Sequence, residues 1–494
     1  MQLLKKIPFF LFLLVLFFCL HGSLENYGYL DFHEVLIIGL IILVCLSASF
    51  FLILLFTRDY RFTSLLIFFI GIWYLFFGAI QDFIKSYPLN PFFHKNSIVF
   101  LLLLVATIAW FVFLKRKKVI HTGLLLYFNL LMLIFCSLDT VLLLQKYFIV
   151  RKNKVSKVVD FDTARVKLKP NVYFMLFDEY PGYKSLQDNF GYANDSFYEF
   201  LRKREFKILP TFANYDHTVF SMSSIFNMQY IDDNFSGRKL TQLDYQLRIA
   251  EIRNARVFSV FKKMGYTLEN YSIFDFDEQH NISDQNSFLP VHSKLLTDKI
   301  FFNRIMRTSG WLFQKGKFAI PFLKKKYLYQ QDINNKYIEN KIIESVANKD
   351  TGPGFCYAHF MMPHAPFYQD SLGRANPDSL VDDNYTWPQG LFLSYLKYTN
   401  KVIQNLVTNI KQNDPDAIII VMSDHGYRSN DNRNPVNPYD NFCAVYFPDQ
   451  NYLAIKEKWS TVNFYPYLFN CEFEQSMPYL PDYTIDLKDP ELIK

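Results

Sequence analysis

An aspartate and a histidine stand side by side in Ser423-Asp424-His425-Gly426, directly after the apolar run 417–422. A carboxylate and an imidazole aimed out of a strand end by a glycine that permits a tight turn suit a hard or borderline divalent metal. An incidental surface turn accommodates the same residues equally, so the reading needs partners elsewhere in the chain. Asp178 and Glu179 follow the apolar run 172–177 and supply further carboxylates; capping of the next helix is the alternative. Thr218 and Ser221 lie where a strand gives way to a helix. A hydroxyl there can lose its proton to a metal and attack phosphorus or sulfur, and the helix N-terminus favours the anionic group. A plain helix cap uses the same residue types. His364 stands between Pro363 and Pro366, which restrict the backbone around an imidazole suited to handling a proton or a charged oxygen; an ordinary surface histidine is the other reading. Arg428 follows the Asp-His pair closely enough to contact a phosphate.

Such residues need a scaffold that gathers four distant segments. From residue 171 short apolar runs alternate with helical patterns, as in a mostly parallel sheet with helices on both faces. Strands are expected at 172–177, 207–213, 266–273, 354–360, 417–422 and 442–447. Helices are expected at 195–204, 218–229, 247–264 (one long helix ended by Gly265) and 391–411, and 276–350 reads as an insertion. The candidate residues follow the carboxyl ends of expected strands, where open α/β sheets gather ligands.

Composition separates residues 1–146 from that domain. Aromatic residues make up 18% of the chain, and their excess falls in this first part. Apolar stretches recur there near 7–23, 35–56, 62–80, 97–114 and 122–145, and about 20 such residues cross a hydrocarbon core. The first is short enough to pass for a signal peptide, yet no small-x-small cleavage pattern follows it. Five spans are therefore expected. Lys5 and Lys6, Arg58 and Arg61, and Lys115, Arg116, Lys117 and Lys118 occupy alternate loops, which sets the N-terminus in the cytoplasm and everything after the fifth span outside. A basic connector, 147–170, leads to the catalytic candidate, 171–494. Three of the six cysteines (Cys356, Cys443, Cys471) fall in this outer part, with no zinc-knuckle spacing. A net charge of +6 without a basic, aromatic-interleaved stripe argues against a nucleic-acid partner. Within the insertion, Trp311, Lys315 and Lys317, with Phe322, Lys324 and Lys326, form either a membrane-facing surface or a solvated helix face.

The order of these signals resembles the alkaline phosphatase superfamily: metal carboxylate, hydroxyl nucleophile, substrate histidine, then Asp-His. The segment 170–179 is similar to the first strand of its sulfatase-like branch, and Ser423-Asp424-His425-Gly426 to that branch's late metal-binding motif. Five spans before an outer domain narrow the likeness to membrane-bound lipoteichoic acid synthases and lipid A phosphoethanolamine transferases, enzymes of the bacterial cytoplasmic membrane. The resemblance implies a divalent metal (zinc, manganese or magnesium) held by Asp178, Thr218, Asp424 and His425. It further implies Thr218 as nucleophile, and His364 as phosphate ligand or proton donor to the leaving group. Glu179 falls on a second metal carboxylate of true sulfatases. The implied substrates are a lipid carrying a phospho-head-group and a glycan or glycolipid acceptor. The chain departs from the family in three ways. It lacks the Cys-x-Pro-x-Arg motif of true sulfatases, has no cysteine within 214–228, and carries Asp178 where the transferases usually have Glu. A membrane-anchored hydrolase of phosphate or sulfate esters and a non-catalytic envelope assembly protein are the alternative functions.

Overall fold

Apolar residues on every side, with no internal proline, wind the N-terminal part into helices. These are α1 (Phe10–Glu25), α2 (Phe32–Thr57), α3 (Tyr60–Leu75), α4 (Phe77–Lys85), α5 (Asn96–Arg116) and α6 (His121–Asn153). The computed structural model describes residues 2–487 except 28–29, 31, 86, 88–89, 117–120, 154–160, 232–239, 241, 277–278, 283–292, 310–320, 322–324, 326–327, 348–351, 382–388, 429–435 and 455. The basic and aromatic residues Trp311, Lys315, Lys317, Phe322, Lys324 and Lys326, and the loop residues Lys117 and Lys118, lie outside the described residues. The chain divides into two compact units, Met1–Lys157 with Ser287–Lys324, and Val158–Asn286 with Lys325–Lys494.

Among the described residues of the first unit, three helices are long and apolar enough to cross a membrane: Phe32–Thr57, Asn96–Arg116 and His121–Phe148. The pair α3–α4 adds a fourth if its 58° bend is spanned as one. With 16 residues, α1 reaches about 24 Å at 1.5 Å per residue, short of a hydrocarbon core of roughly 30 Å. It is nevertheless clamped to α6. Asn129 donates to the carbonyls of Leu4 and Ile7 and accepts from the Phe10 amide, which satisfies groups at the start of α1. The α3–α4 bend also has a local cause. The Gly78 amide donates to Lys299 O at 2.8 Å, and a Cβ at Gly78 would lie 2.9 Å from Lys299 Cα. Arg304, 4% exposed, binds Gln81, Asp82 and Asp298, and Phe301 packs on Trp73, Phe77 and Phe100. Part of the expected insertion therefore folds with the apolar helices.

The second unit is built on a six-stranded sheet. Its strands are β1 (Val172–Phe177), β2 (Lys207–Ile208), β4 (Thr267–Tyr271), β5 (Gly354–Phe360), β6 (Ile418–Met422) and β7 (Cys443–Tyr446), while β3 (Thr211–Phe212) and β8 (Trp459–Ser460) pair separately. The order is β2-β7-β6-β1-β5-β4, parallel from β6 to β4, with β7 antiparallel to both of its neighbours, β6 and the edge strand β2. Every residue of β1 and β6 is buried, as expected of central strands covered on both faces. Tyr173, Met175 and Phe177 face the helix Gln389–Asn413 through Tyr395, Ile403 and Leu406. Val172, Phe174 and Leu176 face the opposite layer. That layer comprises α9 (Thr218–Asn227), α11 (Arg256–Lys263) and Phe464–Glu472, through Phe226, Phe261 and Phe469. The remaining early helices are α7 (Tyr183–Phe190), α8 (Asp195–Lys203) and α10 (Gln242–Arg253).

Two expectations change. The run 207–213 is two strands in different sheets, because Pro210 breaks it. The single helix expected over 247–264 is instead α10 and α11. Ala255 between them is extended (ψ 149°), and the Arg256 amide turns to Asn227 Oδ1 at 3.4 Å.

Candidate metal centre

Strand register assembles the site. Leu176 of β1 pairs with Met422 of β6, so Asp178 and Asp424, each two residues further on, leave the sheet side by side. Asp178, Asp424 and His425 each offer a ligand atom within 4.8 Å of the others, and each is buried. The Ser423 hydroxyl donates to Tyr180 O at 2.6 Å and Asn441 donates to Ser423 O at 2.8 Å, which locks the turn. Gly426 is needed for close approach, since its φ is not positive. Its amide donates to Pro438 O at 2.6 Å, and a Cβ would lie 3.1 Å from Asn437 O and nearer still to Asp440 O.

Orphaned atoms point the cluster at a cation. Buried polar atoms are nearly always paired. Asp178 Oδ1 and Asp424 Oδ2 are buried without a hydrogen-bond partner, and Asp424 Oδ2 lies 3.1 Å from His425 Nε2 without the geometry of a hydrogen bond. His425 Nδ1 lies 2.8 Å from Gly426 O, which fixes its hydrogen there and leaves Nε2 with a lone pair. Two carboxylates and one imidazole fit a divalent metal.

Thr218 opens α9, half-buried, with Oγ1 3.3 Å from His425 Nε2. Ser221 is a full turn further in and fully buried, and its hydroxyl donates to Asp424 O at 2.7 Å. Glu179, also buried, does not join the metal cluster. It adopts φ +64°, an uncommon conformation away from glycine, and its Oε1 accepts from the Arg428 amide at 2.8 Å and from Arg428 Nε at 3.3 Å. His364 Nε2 lies 3.5 Å from Arg428 Nη2 and 3.8 Å from Glu179 Oε2. Glu179, Arg428 and His364 thus form one charged group beside the cluster.

The charges set proton positions. Burial alone would raise the Asp178 carboxyl, but the His359 hydrogen bond and the positive charge favoured on His364 hold it well below the usual carboxylate range. Burial opposes protonation of His364, yet the carboxylates of Glu179 and Asp178 prevail over it and over Arg428, so this imidazole titrates above its ordinary 6.5. His359 escaped the sequence reading. It is a lone imidazole in the apolar strand 354–360, two residues after Tyr357 on the same face.

A family model described as Sulfatase matches residues 208–461. Thr218, His364, Asp424 and His425 fall within the match, and Asp178 precedes it. No curated protein matches the chain in sequence. Solved structures that resemble it include the C-terminal periplasmic domain of EptC from Escherichia coli in complex with zinc (10% identity, 64% of this chain and 85% of that one, TM-score 0.39). Another is the integral membrane lipooligosaccharide phosphoethanolamine transferase A from Neisseria meningitidis (12% identity, 93% and 95%, TM-score 0.38). A third is the phosphonate monoester hydrolase of Agrobacterium radiobacter (11% identity, 61% and 73%, TM-score 0.37). Identity and fit this low convey no activity.

Proposed function

Because the chain belongs to the sulfatase family, and so is a metal-dependent enzyme of that superfamily, we propose that it transfers a phospho-head-group at a membrane. The donor is a lipid bearing a head group of the phosphoethanolamine or phosphoglycerol type, and the acceptor is a glycan or glycolipid of the bacterial envelope. One observation carries this reading: the Thr218 hydroxyl, at the open end of α9, stands 3.3 Å from a metal-ligating nitrogen of the Asp178–Asp424–His425 cluster. A buried serine or a surface threonine would not support it.

When bound, the divalent ion lowers the pKa of a ligating hydroxyl and polarises a phosphoryl oxygen. Thr218 gives up its hydroxyl proton to solvent, Oγ1 attacks phosphorus, and the bond from phosphorus to the lipid oxygen breaks on the opposite side. His364, favoured in its protonated form by Glu179 and Asp178, gives that oxygen its proton. Arg428, held by Glu179, pairs with a non-bridging oxygen, and the N-terminus of α9 favours the same negative charge. An acceptor hydroxyl then loses its proton to His364 and displaces Thr218 Oγ1, which takes a proton back from solvent. Residues 1–146 would anchor the enzyme in the cytoplasmic membrane, 147–170 would connect, and 171–494 would act outside. The apolar helices of the first unit support that anchor.

Mass spectrometry of the purified full-length protein, incubated with donor lipid alone, tests the reading. A head-group adduct on Thr218 that disappears in Thr218→Ala is expected. An adduct on Ser221 or Ser223 would overturn the assignment of the nucleophile.

A further inference from the structure

We infer that His359 is a positioning residue for the metal centre, holding Asp178 by one carboxylate oxygen so that the other is left for the ion. The inference rests on the metal reading above. His359 is fully buried in β5, with Nε2 3.3 Å from Asp178 Oδ2 and Nδ1 2.9 Å from the Tyr357 hydroxyl. An ionised carboxylate only accepts hydrogen bonds, so Nε2 carries the hydrogen that Asp178 Oδ2 receives. Tyr357, fully buried, then donates its O–H to Nδ1. The ring edge-packs on Phe274 at 5.9 Å, which limits rotation. A core histidine that merely satisfies its neighbours would leave Asp178 with no special orientation. Here the same carboxylate, which offers a ligand atom to the cluster, keeps Oδ1 buried and unpaired. The relay Tyr357, His359, Asp178 therefore decides which oxygen faces the ion, and partners of this kind change metal affinity by roughly 10–100-fold.

The test is zinc affinity of the detergent-solubilised full chain, stripped of metal and titrated in competition with a chromophoric chelator. His359→Leu should bind zinc roughly 10–100-fold more weakly. His359→Gln, which keeps a donor at similar reach, should recover most of that loss at an unchanged metal-free melting temperature. A folded His359→Leu with wild-type affinity would overturn the inference, as would a His359→Gln as weak as His359→Leu. If His359→Leu does not fold, Tyr357→Phe decides. Weaker zinc binding with unchanged metal-free stability supports the relay, and unchanged affinity sinks it. A wild-type chain that binds no zinc, manganese or magnesium would instead overturn the metal reading itself.

Discussion

Two hydroxyls, Thr218 and Ser221, lie one helical turn apart, and the structure gives them opposite expected phenotypes. Ser221 is fully buried and donates to the carbonyl of Asp424 at 2.7 Å. Ser221→Ala removes that donor and leaves the Asp424 carbonyl, in the candidate metal cluster, without it, at a cost of about 1–3 kcal/mol. At roughly 2 °C per kcal/mol for a unit of this size, the melting temperature should fall by about 2–6 °C. The covalent adduct should still form on Thr218. Thr218 is half-buried at the first position of α9 and makes no cap, so Thr218→Ala should alter stability by no more than about 0.5 kcal/mol. It should abolish the adduct. The assay pairs thermal unfolding of metal-stripped protein in detergent with intact-mass measurement after donor lipid is added. A Ser221→Ala protein with wild-type melting temperature and no adduct would refute the reasoning, because it would make the buried serine the nucleophile.

Other outcomes follow from the same contacts. Gly426→Ala forces a Cβ to 3.1 Å from Asn437 O and closer still to Asp440 O, both backbone atoms that cannot swing away, so it should cost about 1–3 kcal/mol and weaken metal binding, read by thermal unfolding and chelator competition. Burial, with Asp449 adding to it, pushes the Glu472 carboxyl up to about 8. A folded pKa above the unfolded one means stability that is complete below pH ~4.5 and is lost as pH rises through about 8. Glu472→Gln should therefore hold its melting temperature between pH 6 and 9 while the wild type declines; parallel curves would rule the effect out. Arg304→Ala removes a buried guanidinium from Gln81, Asp82 and Asp298, and should speed limited proteolysis within 293–309. Cleavage at the wild-type rate would mean these contacts do not hold the segment.

Much of the catalytic half was legible because central parallel strands are buried on both faces. Continuous apolar runs at 172–177, 354–360 and 417–422 follow from that burial, and so does the polarity that begins at Asp178 and Asp424. Where a segment's shape depends on a distant partner, local pattern misled. The apolar period through 247–264 continues, but Asn227 takes the Arg256 amide and divides the helix. The apolar stretch 62–80 bends at Phe76 because the Gly78 amide leaves its own helix for Lys299.

The sequence by itself determined the donors, that is, which carboxylates, imidazoles and hydroxyls follow which apolar runs, because those runs are coded residue by residue. Only the tertiary structure decided how they meet. The pairing of Leu176 with Met422 brings Asp178 beside Asp424. The burial of Ser221 against Asp424 O leaves Thr218 as the hydroxyl nearer the surface. The engagement of Glu179 by Arg428 draws that carboxylate away from the metal cluster. Register and burial depend on strands 180 to 250 residues apart in the chain, a separation over which no local pattern carries information.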